Sequence, residues 1–563
     1  MLDLLLDHRL IFGLLGGLGL FLYGMRILST GLQKLSGTRL RKILTALTGN
    51  RVVGALVGAL VTVAVQSSSA VSVMLVGLVN AGLVTLVQAI GVIIGVNVGT
   101  TLTAQLLAFP LTGLALPAIG IGAIVSLISR NRKYAYYGEV LLGLGLVFFG
   151  LGLMKQAFDP VKGSAEFVQF LTMVGDNRLL AVAVGALVTM MLQSSTATIG
   201  LTLVLASSGL LDFQGSVALI LGENIGTTVT ANIAAIGAGV DARRAALSHL
   251  MFNLIGVACM LMLFPFFTWL VDWITPGNPD FVVATADQGA FYGAALGDKP
   301  FIARHVANTH TLFNLLNALI FLPLVGPLAR LTCLILPGVQ SHNDVQVRYI
   351  DHRVLETPPI ALGQARLETK RMGQVAREML AETIGYQQDL DEARSESILR
   401  REEILDLLQH DITDFLVRLS QRSVSQSTSS QIAILLNVVN DLERIGDHCV
   451  NLLMLHRRRL REKIIFSDVA VDELNNMAEK VRTFVNTVLD RLDRNGQADF
   501  AGLAEIGQEI DDLEATLRQN HINRLNTGEC AVLPGLLFIE AVQSLEKIAD
   551  HAYKIVRSLQ PHA

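Results

Sequence analysis

A short polar run occurs twice within long apolar stretches of this sequence. Gln66–Ser69 (QSSS) and Gln193–Thr196 (QSST) lie at an offset of 127 residues, and Gly58–Thr62 matches Gly185–Thr189 at the same offset without a gap. Each polar group inside a bilayer costs several kcal/mol unless a partner satisfies it. We interpret the match as an internal duplication. Polar clusters in matching positions of two membrane halves indicate the substrate site of a transporter.

A second motif, G-x-N-x-G-T-T, follows each polar run at the same offset. Its amide and hydroxyl side chains are Asn97, Thr100 and Thr101 in the first copy and Asn224, Thr227 and Thr228 in the second. We expect the membrane helix to break at each copy. Glu223 takes the position of Val96 and breaks the symmetry. An intramembrane carboxylate is functional by default, here as a cation or proton site, and the alternative is a structural ion pair.

Hydroxyl and amide groups of this kind can serve an anion and a cation together. Serine and threonine hydroxyls and free backbone N–H groups at helix starts donate to an oxyanion, which the helix dipole also favours. Side-chain oxygens and unwound backbone carbonyls coordinate a hard cation such as Na⁺. For a single copy, packing or local back-bonding would be the better explanation. The second copy at a matched offset favours a binding site.

Composition divides the chain into two parts. Of 563 residues, 51% are hydrophobic and 16% charged, and the charged residues are sparse from Leu10 to about Leu336 and dense from about Ser341. We predict a membrane domain at residues 1–337, a linker at 338–359 and a soluble domain at 360–563. The net charge of −4 argues against nucleic-acid binding. The four cysteines lack paired spacing, which argues against a disulfide or a thiolate metal site.

The apolar stretches predict two repeats, at about residues 10–130 and 135–275, and an extra span at 304–336. The predicted crossings are Leu10–Leu32, Gln88–Ala108, Leu111–Ile128, Tyr136–Met154, Gln214–Ile236, Ala245–Trp273 and Arg304–Leu336. Three crossings in the first repeat make the second repeat start from the opposite face, so the repeats are inverted. Val52–Leu83 and Leu179–Leu211 contain the polar runs, with flanks shorter than the roughly 20 residues of a crossing helix. We predict re-entrant hairpins there, the alternative being two ordinary spans with a polar connector.

The distribution of charge supports this topology. Basic residues follow odd-numbered crossings at Lys34–Arg51, Arg130–Lys133 and Arg243-Arg244, whereas acidic residues follow even-numbered ones at Asp159–Asp176 and Asp280–Asp298. The positive-inside rule places the basic side and the C-terminal domain in the cytoplasm. The sequence therefore predicts a multi-pass protein of the cell (inner) membrane.

A third repeated pattern lies in the last two spans. Arg243-x5-His249-x2-Phe252-Asn253 recurs as Arg304-x5-His310-x2-Phe313-Asn314, an offset of 61 residues. Histidine and asparagine side chains in membrane helices join neighbouring helices by hydrogen bonds. We favour this packing role over direct contact with substrate.

Together these motifs resemble the sodium/phosphate cotransporter family over most of residues 10–336. The resemblance implies inorganic phosphate as the substrate and Na⁺ as the coupling ion, both bound at the two polar runs. The residues implied are Gln66, Ser67, Ser68, Ser69, Gln193, Ser194, Ser195 and Thr196, and Thr196 keeps the hydroxyl of the serine that it replaces.

The soluble part shows helical periodicity and a second duplication. The predicted helices are Gln364–Gln387, Glu392–Gln421, Thr428–Arg459, Asp468–Arg494, Ala501–Asn526 and Leu533–Leu559. Glu443/Asp447 and Glu546/Asp550 recur at an offset of 103 residues, each pair on one helix face. Such acids bind a multivalent cation or form a solvated acidic face. The second copy, with Glu403/Asp406 and Glu509/Asp512 as candidate partners, favours metal.

This part resembles a PhoU domain, two three-helix bundles that each carry an E-x-x-x-D motif. The resemblance implies metal binding at Glu443, Asp447, Glu546 and Asp550, and a role in phosphate signalling through protein partners or self-association. We expect an all-α protein that transports inorganic phosphate with Na⁺, the alternative being a non-transporting phosphate sensor. No nucleophile–base pair, P-loop or zinc motif occurs, so we do not expect an enzyme.

Overall fold

The computed structural model describes residues 8–45, 50–109, 111–161, 164–338, 347–389, 391–422, 424–493 and 502–559. Within these ranges every regular element is a helix, which confirms the all-α prediction. The chain forms two compact units, Met1–Ser341 and His342–Ala563. The basic side chains of Arg39, Arg41 and Lys42 and the linker residues 339–346 lie outside the described part.

The first unit contains short apolar helices packed between longer ones. Its helices are α1 (His8–Thr45), α2 (Arg51–Val65), α3 (Ser68–Asn80), α4 (Leu86–Leu107), α5 (Ala115–Ile128), α6 (Arg132–Ala157), α7 (Ala165–Asp176), α8 (Arg178–Leu192), α9 (Ser195–Ser207), α10 (Phe213–Ala234), α11 (Val240–Met262), α12 (Phe264–Ile274), α13 (Ala286–Tyr292), α14 (Ile302–Phe321) and α15 (Val325–Ile335). Helices α1 and α5 both pack along α6. Helix α2 packs along α4, and α8 packs along α10 in the same way.

The internal duplication is visible in the helix boundaries. Helices α2, α3 and α4 begin and end 127 residues before α8, α9 and α10, respectively. Helix α2 has 15 residues and α3 has 13. A helix of 15 residues is about 22 Å long, less than the roughly 30 Å thickness of a bilayer core. Each polar run therefore lies at the break of a helix–break–helix unit whose arms are too short to cross separately.

Four helices in the described residues are long and apolar enough to cross a membrane, or up to six spans if each bent pair counts as one. The four are Leu10–Leu35 within α1, α4, α6 and α11; the bent pairs are α7 with α8 (104°) and α14 with α15 (84°). Helix α7 was not predicted. It lies in the acidic stretch between the predicted crossing Tyr136–Met154 and the predicted hairpin Leu179–Leu211.

Three predicted spans differ from the observed helices. Helix α5 has only 14 residues, where Leu111–Ile128 was predicted to cross as one helix. The predicted span Ala245–Trp273 is divided at Leu263 into α11 and α12, and the predicted span Arg304–Leu336 is divided into α14 and α15. Pro265 lies in the first turn of α12 and Pro323 lies in the break after α14. Proline cannot donate the helical hydrogen bond and clashes with the preceding turn, which explains both divisions.

The predicted breaks at the two G-x-N-x-G-T-T motifs are wrong. Helices α4 and α10 run through them without interruption for 22 residues each. A Cβ atom on Gly95 would overlap the carbonyl oxygen of Ala55, and one on Gly222 would overlap that of Val182. These glycines allow close packing of α4 on α2 and of α10 on α8. The threonine hydroxyls donate to carbonyls one turn earlier and so do not interrupt the helix.

The second unit contains six long helices in its described residues. They are α16 (Pro358–Asp389), α17 (Glu392–Ser420), α18 (Gln426–Arg461), α19 (Asp468–Asp493), α20 (Leu503–Asn526) and α21 (Val532–Leu559), which agree with the six predicted helices to within about six residues at each end. Helices α16, α17 and α18 pack on one another, and so do α19, α20 and α21. Helices α18 and α21 join the two bundles.

Candidate functional site

The two polar runs adopt the same backbone conformation. Gln66 ends α2 with φ 56° and ψ 27°, and Gln193 ends α8 with φ 50° and ψ 27°. Ser67 and Ser194 are then extended, with φ −152° and −147°. A left-handed conformation costs a non-glycine residue roughly 1–2 kcal/mol. Strain of this kind is typical of functional sites, and here it occurs at both copies.

Each polar run also starts a helix. The Ser67 hydroxyl accepts a hydrogen bond from the N–H of Ala70 (3.2 Å), and the Ser194 hydroxyl accepts from Ala197 at the same distance. The first N–H groups of a helix have no partner within it, so those beyond the cap remain as donors at the helix start. The next side chains, Ser68 and Ser195, are buried. The runs thus place hydroxyls, N–H groups and a positive helix end together.

The first polar run is held by neighbours that the sequence did not identify. The Thr103 hydroxyl of α4 donates to Gln66 Oε1 (3.0 Å), while Gln66 Nε2 donates to the carbonyl of Val63 (2.6 Å). The Ser29 hydroxyl of α1 donates to the carbonyl of Val65 (2.5 Å). Gln193 in the second run is exposed. Thr103 lies two residues after the first G-x-N-x-G-T-T motif, and this position in the sequence is what could have identified it as a neighbour of the polar run.

The packing brings the two repeats together. Helix α3, which follows the first run, packs against α10 and α11. Helix α9, which follows the second run, packs against α4 and α14. Each run therefore leads into a helix that contacts the G-x-N-x-G-T-T helix of the other repeat. The amide and hydroxyl side chains of both motifs are buried there: Asn97, Thr100, Thr101, Asn224, Thr227 and Thr228.

The first H-x-x-F-N copy, on α11, closes a hydrogen-bond ring with the first repeat. Asn97 Nδ2 donates to Asn253 Oδ1 (2.8 Å), and Asn253 Nδ2 donates to the carbonyl of His249 (3.0 Å). The His249 Nε2 atom lies 3.1 Å from Asn97 Oδ1. This contact supports the predicted packing role of the motif.

The second H-x-x-F-N copy, on α14, meets a carboxylate instead of an amide. His310 Nε2 lies 3.6 Å from Glu223 Oε2, and both side chains are about 1% exposed. Asn314 Nδ2 lies 3.2 Å from His310 Nε2 and donates to the carbonyl of His310 (2.9 Å). Asn224 donates to the carbonyl of Ile220 within its own helix (2.8 Å). The two repeats thus share a fold but differ in this contact.

The acidic pairs of the second unit lie on α18 and α21. Burial, and then the neighbouring Asp447 carboxylate, raise the pKa of Glu443. Burial, and then the Asp447 carboxylate, raise the pKa of Asp406 of α17 as well. Glu402 adds a carboxylate that was not predicted, with a pKa raised by burial and by Asp406. These neighbouring carboxylates therefore repel one another.

The second acidic pair has a different surrounding. Glu509, a predicted partner, lies instead beside α19, with its Oε2 atom 3.5 Å from Lys480 Nζ. Burial, and then the neighbouring Asp550 carboxylate, raise the pKa of Asp511.

Carboxylates suit a hard multivalent cation, but basic side chains compete with it at both pairs. Arg444 lies 2.9 Å from Asp447, and Lys547 lies 3.1 Å from Glu546. In the described part of the chain, no three His, Cys, Asp or Glu side chains are grouped closely enough to hold a metal ion. The predicted metal site is therefore not assembled in this structure.

Comparison with known proteins identifies both parts of the chain. The Na⁺/Pi-cotransporter family model matches residues 20–156 and 159–271, and the PhoU domain model matches residues 369–455 and 460–559.

Three relatives cover different parts. YjbB of Escherichia coli (strain K12), named as an inorganic phosphate export protein, is 30% identical over 439 residues, which are 77% of this chain and 76% of that protein. A PhoU homologue of Clostridium acetobutylicum, named as a phosphate-specific transport system accessory protein, is 26% identical over 35% of this chain and 90% of its own length. The human sodium-dependent phosphate transport protein 2B is 36% identical over 22% of this chain and 19% of its own length. The chain therefore belongs to the Na⁺/Pi-cotransporter family and carries a PhoU domain after its apolar helices.

Proposed function

We propose that this protein is a secondary transporter of inorganic phosphate coupled to Na⁺, with its substrate site at the two polar runs. The duplicated helix break carries this proposal: Gln66 and Gln193 share a strained left-handed conformation, and Ser67 and Ser194 cap the helices that follow. Matching breaks in two repeats are the sequence and structural pattern of a transporter substrate site. The names of YjbB and of the human relative support phosphate as the substrate.

The chemistry of the runs suits both ions. Buried hydroxyls at Ser68, Ser195 and Thr196 donate to phosphate oxygens, together with the N–H groups at the starts of α3 and α9. The carbonyls that end α2 and α8, with the side-chain oxygens of the runs, offer ligands to Na⁺. The helix dipoles favour the same arrangement. The partial negative charge at the C-terminal ends of α2 and α8 favours the cation, and the partial positive charge at the N-terminal ends of α3 and α9 favours the anion.

We further propose that the repeats are inverted in the membrane and that the PhoU domain lies in the cytoplasm of a cell with an inner membrane. The boundaries of α2, α3 and α4 recur in α8, α9 and α10 at the 127-residue offset, which supports a repeated unit. The charge distribution of the sequence supports the orientation. The polar runs would then lie near mid-membrane, accessible in turn from either side. The PhoU domain is proposed to regulate transport in response to phosphate.

The membrane potential limits how many Na⁺ ions are required. At 100 mV, inside negative, each elementary charge moved is worth about 2.3 kcal/mol, so inward movement of a phosphate dianion alone costs roughly 4.6 kcal/mol. Two Na⁺ ions neutralise that charge and three let the potential drive uptake. Outward flux of the dianion is favoured by the same potential. The name of YjbB refers to export, so both directions must be measured.

The test is flux of labelled phosphate through the purified full-length protein in proteoliposomes. We expect uptake and efflux that both depend on the direction of an imposed Na⁺ gradient and that are absent from empty vesicles. A K⁺ gradient of the same size is the control for ionic strength. Binding of phosphate without flux in either direction would contradict transport and would favour the sensor interpretation.

A further inference from the structure

The end of α18 carries a basic cluster that neither the polar runs nor the acidic pairs explain. Five of the seven residues from 457 to 463 are basic: Arg457, Arg458, Arg459, Arg461 and Lys463. The segment 457–469 also contains Glu462 and Asp468, so five positive and two negative charges leave a net charge of +3. One or two basic residues complement the negative end of a helix dipole. The remaining positive charge requires another explanation.

Local ion pairs do not hold the arginines of the basic cluster strongly. Arg457 lies 2.8 Å from Glu392, and Arg458 lies 3.0 Å from Glu462. Both arginine side chains are 40% exposed, and ion pairs between solvent-exposed side chains contribute little to stability. An external anionic surface can therefore compete for these arginines at small cost.

Lys463 occupies a backbone position where glycine is usual. Its φ of 53° is left-handed, and the N–H of Ile464 donates to the carbonyl of Arg459 (2.8 Å) across the end of the helix. In this Schellman arrangement the left-handed residue is most often glycine, because a side chain is strained there. The lysine thus adds a positive charge to the cluster at the expense of backbone strain.

The most exposed apolar side chains of the second unit lie close to the basic cluster in sequence or in space. In its described residues, the four most exposed large aliphatic side chains are Ile465 (86%), Val532 (78%), Val469 (57%) and Leu536 (49%). Ile465 and Val469 follow the cluster directly, whereas Val532 and Leu536 lie in the first turns of α21. Exposed apolar groups that occur together mark a surface for a protein or a membrane.

Aromatic contacts bring these two groups of apolar side chains together. Arg459 lies 5.0 Å from the centre of the Phe466 ring, and that ring meets Phe538 of α21 edge to face with centroids 6.2 Å apart. Phe466 adjoins Ile465 in sequence, and Phe538 lies two residues from Leu536. The turn before α19 and the start of α21 are therefore neighbours at the same end of the domain as the basic cluster.

We propose that this surface, formed by residues 457–469 and the first turns of α21, docks the PhoU domain on the anionic headgroups of a lipid bilayer. Basic side chains attract anionic lipids, and aliphatic side chains beside them insert at the boundary between headgroups and acyl chains. The apolar helices of the same chain keep the domain near a bilayer, so docking is effectively intramolecular and a modest attraction suffices. The inference goes beyond transport. The proposed cytoplasmic location decides only which leaflet the domain meets.

Fluorescence of the full-length protein in proteoliposomes tests docking without requiring transport. An environment-sensitive fluorophore is attached at Ile465→Cys, in a background whose native cysteines are replaced, and some lipids carry a quencher on the acyl chain. We expect strong quenching in an equal mixture of phosphatidylcholine and phosphatidylglycerol and little in phosphatidylcholine alone. Val417→Cys is the matched control: this exposed position lies about 37 Å along α17 from Glu392, the partner of Arg457, and should not be quenched in either lipid.

Charge substitutions test the cause of docking. Arg458→Gln with Arg461→Gln should lower the equilibrium constant of docking by about tenfold or more, since each basic side chain near an anionic surface contributes about fivefold. Arg418→Gln with Arg422→Gln removes the same charge near the other end of α17 and should have no effect. Raised salt should weaken docking of the wild type, because it screens the attraction.

The outcomes separate docking from transport. Equal quenching at Ile465 in both lipids would overturn the proposal, because anionic headgroups would then not be the partner. Absence of quenching in the anionic mixture would also overturn it, and a fluorescence that instead changes with the protein-to-lipid ratio would identify a second copy of the chain as the occupant. A wild type that docks but moves no phosphate would contradict the transport function and leave the docking surface intact.

Discussion

At the scale of single residues, the glutamines that end α2 and α8 are unusual. In the described residues only Gln66, Gln193 and Lys463 are non-glycine residues with positive φ, whereas nine glycines adopt such angles. Glycine would fit both breaks with less strain. The presence of glutamine at both breaks therefore indicates that its side chain makes contacts that glycine cannot make. For Gln66 these contacts are the hydrogen bonds to the Thr103 hydroxyl and the Val63 carbonyl.

Replacing Gln66 by glycine separates backbone strain from side-chain function. We expect Gln66→Gly to keep or slightly raise thermal stability, because relief of the left-handed strain offsets the lost side-chain contacts. Phosphate flux should nevertheless fall by about tenfold, which corresponds to about 1.4 kcal/mol, because the side chain that bonds to Thr103 and Val63 is lost. Lys463→Gly is the control, with the same relief at φ 53° in the second unit and wild-type flux. Wild-type flux in Gln66→Gly would show that the side chain is dispensable.

The buried serine hydroxyls at the two helix starts give a second residue-scale prediction. Ser68→Ala and Ser195→Ala should each sharply reduce phosphate flux without unfolding the protein, because each removes a donor to phosphate and leaves the caps at Ser67 and Ser194 intact. Ser207→Ala is the control at the other end of α9, since its hydroxyl donates to the carbonyl of Val204 within the same helix. Normal flux in both site variants would place the phosphate site elsewhere.

At the scale of helices, close packing explains what the sequence could and could not predict. The breaks at Gln66 and Gln193 were predictable, because polar residues interrupt apolar runs too short to cross. The continuity of α4 and α10 was not, since glycine and threonine occur both in broken helices and in close helix contacts. Only the neighbouring backbone distinguishes the two, and at Gly95 it lies where a Cβ atom would be. The role of α14 was recognised as a repeated motif, but its contact with Glu223 requires the tertiary structure.

Substitution of these glycines tests the packing explanation. Gly95→Ala and Gly222→Ala should each lower the free energy of unfolding by about 1–3 kcal/mol, because the methyl group would overlap a backbone carbonyl that cannot rotate away. Gly152→Ala on α6 has nothing within 4 Å of the added atom and should be neutral or slightly stabilising. Thermal unfolding of the detergent-solubilised protein measures all three. Equal melting temperatures for the three variants would contradict close packing.

At the scale of the whole molecule, the second unit contributes a set of acids that repel one another. Burial and neighbouring carboxylates raise the pKa values of Glu402, Asp406 and Glu443 from their ordinary values. The folded unit therefore binds protons more tightly than the unfolded chain does, and its stability falls as pH rises through these raised pKa values. The melting temperature of the unit should accordingly increase as pH is lowered from neutral toward the ordinary carboxylate pKa values.

A multivalent cation would relieve the same repulsion at neutral pH, and this gives the test of the predicted metal site. The unit is compact, and the relative from C. acetobutylicum matches it over 90% of its own length, so a fragment from Ile360 to Ala563 is a suitable sample. Metal at a hundredfold excess over Kd should stabilise it by about 2.7 kcal/mol. For this to happen, Arg444 must move from its position 2.9 Å from Asp447.

Substitution distinguishes a metal site from a solvated acidic face. Glu443→Gln with Asp447→Asn should raise the melting temperature of the metal-free fragment, since it removes repulsion, and should abolish one metal site while leaving the one at Glu546 and Asp550. The two effects have opposite signs, so they cannot both arise from a general change in stability. A wild-type fragment that contains no metal by elemental analysis, and whose melting temperature does not respond to added metal, would show that these acids form only a solvated face.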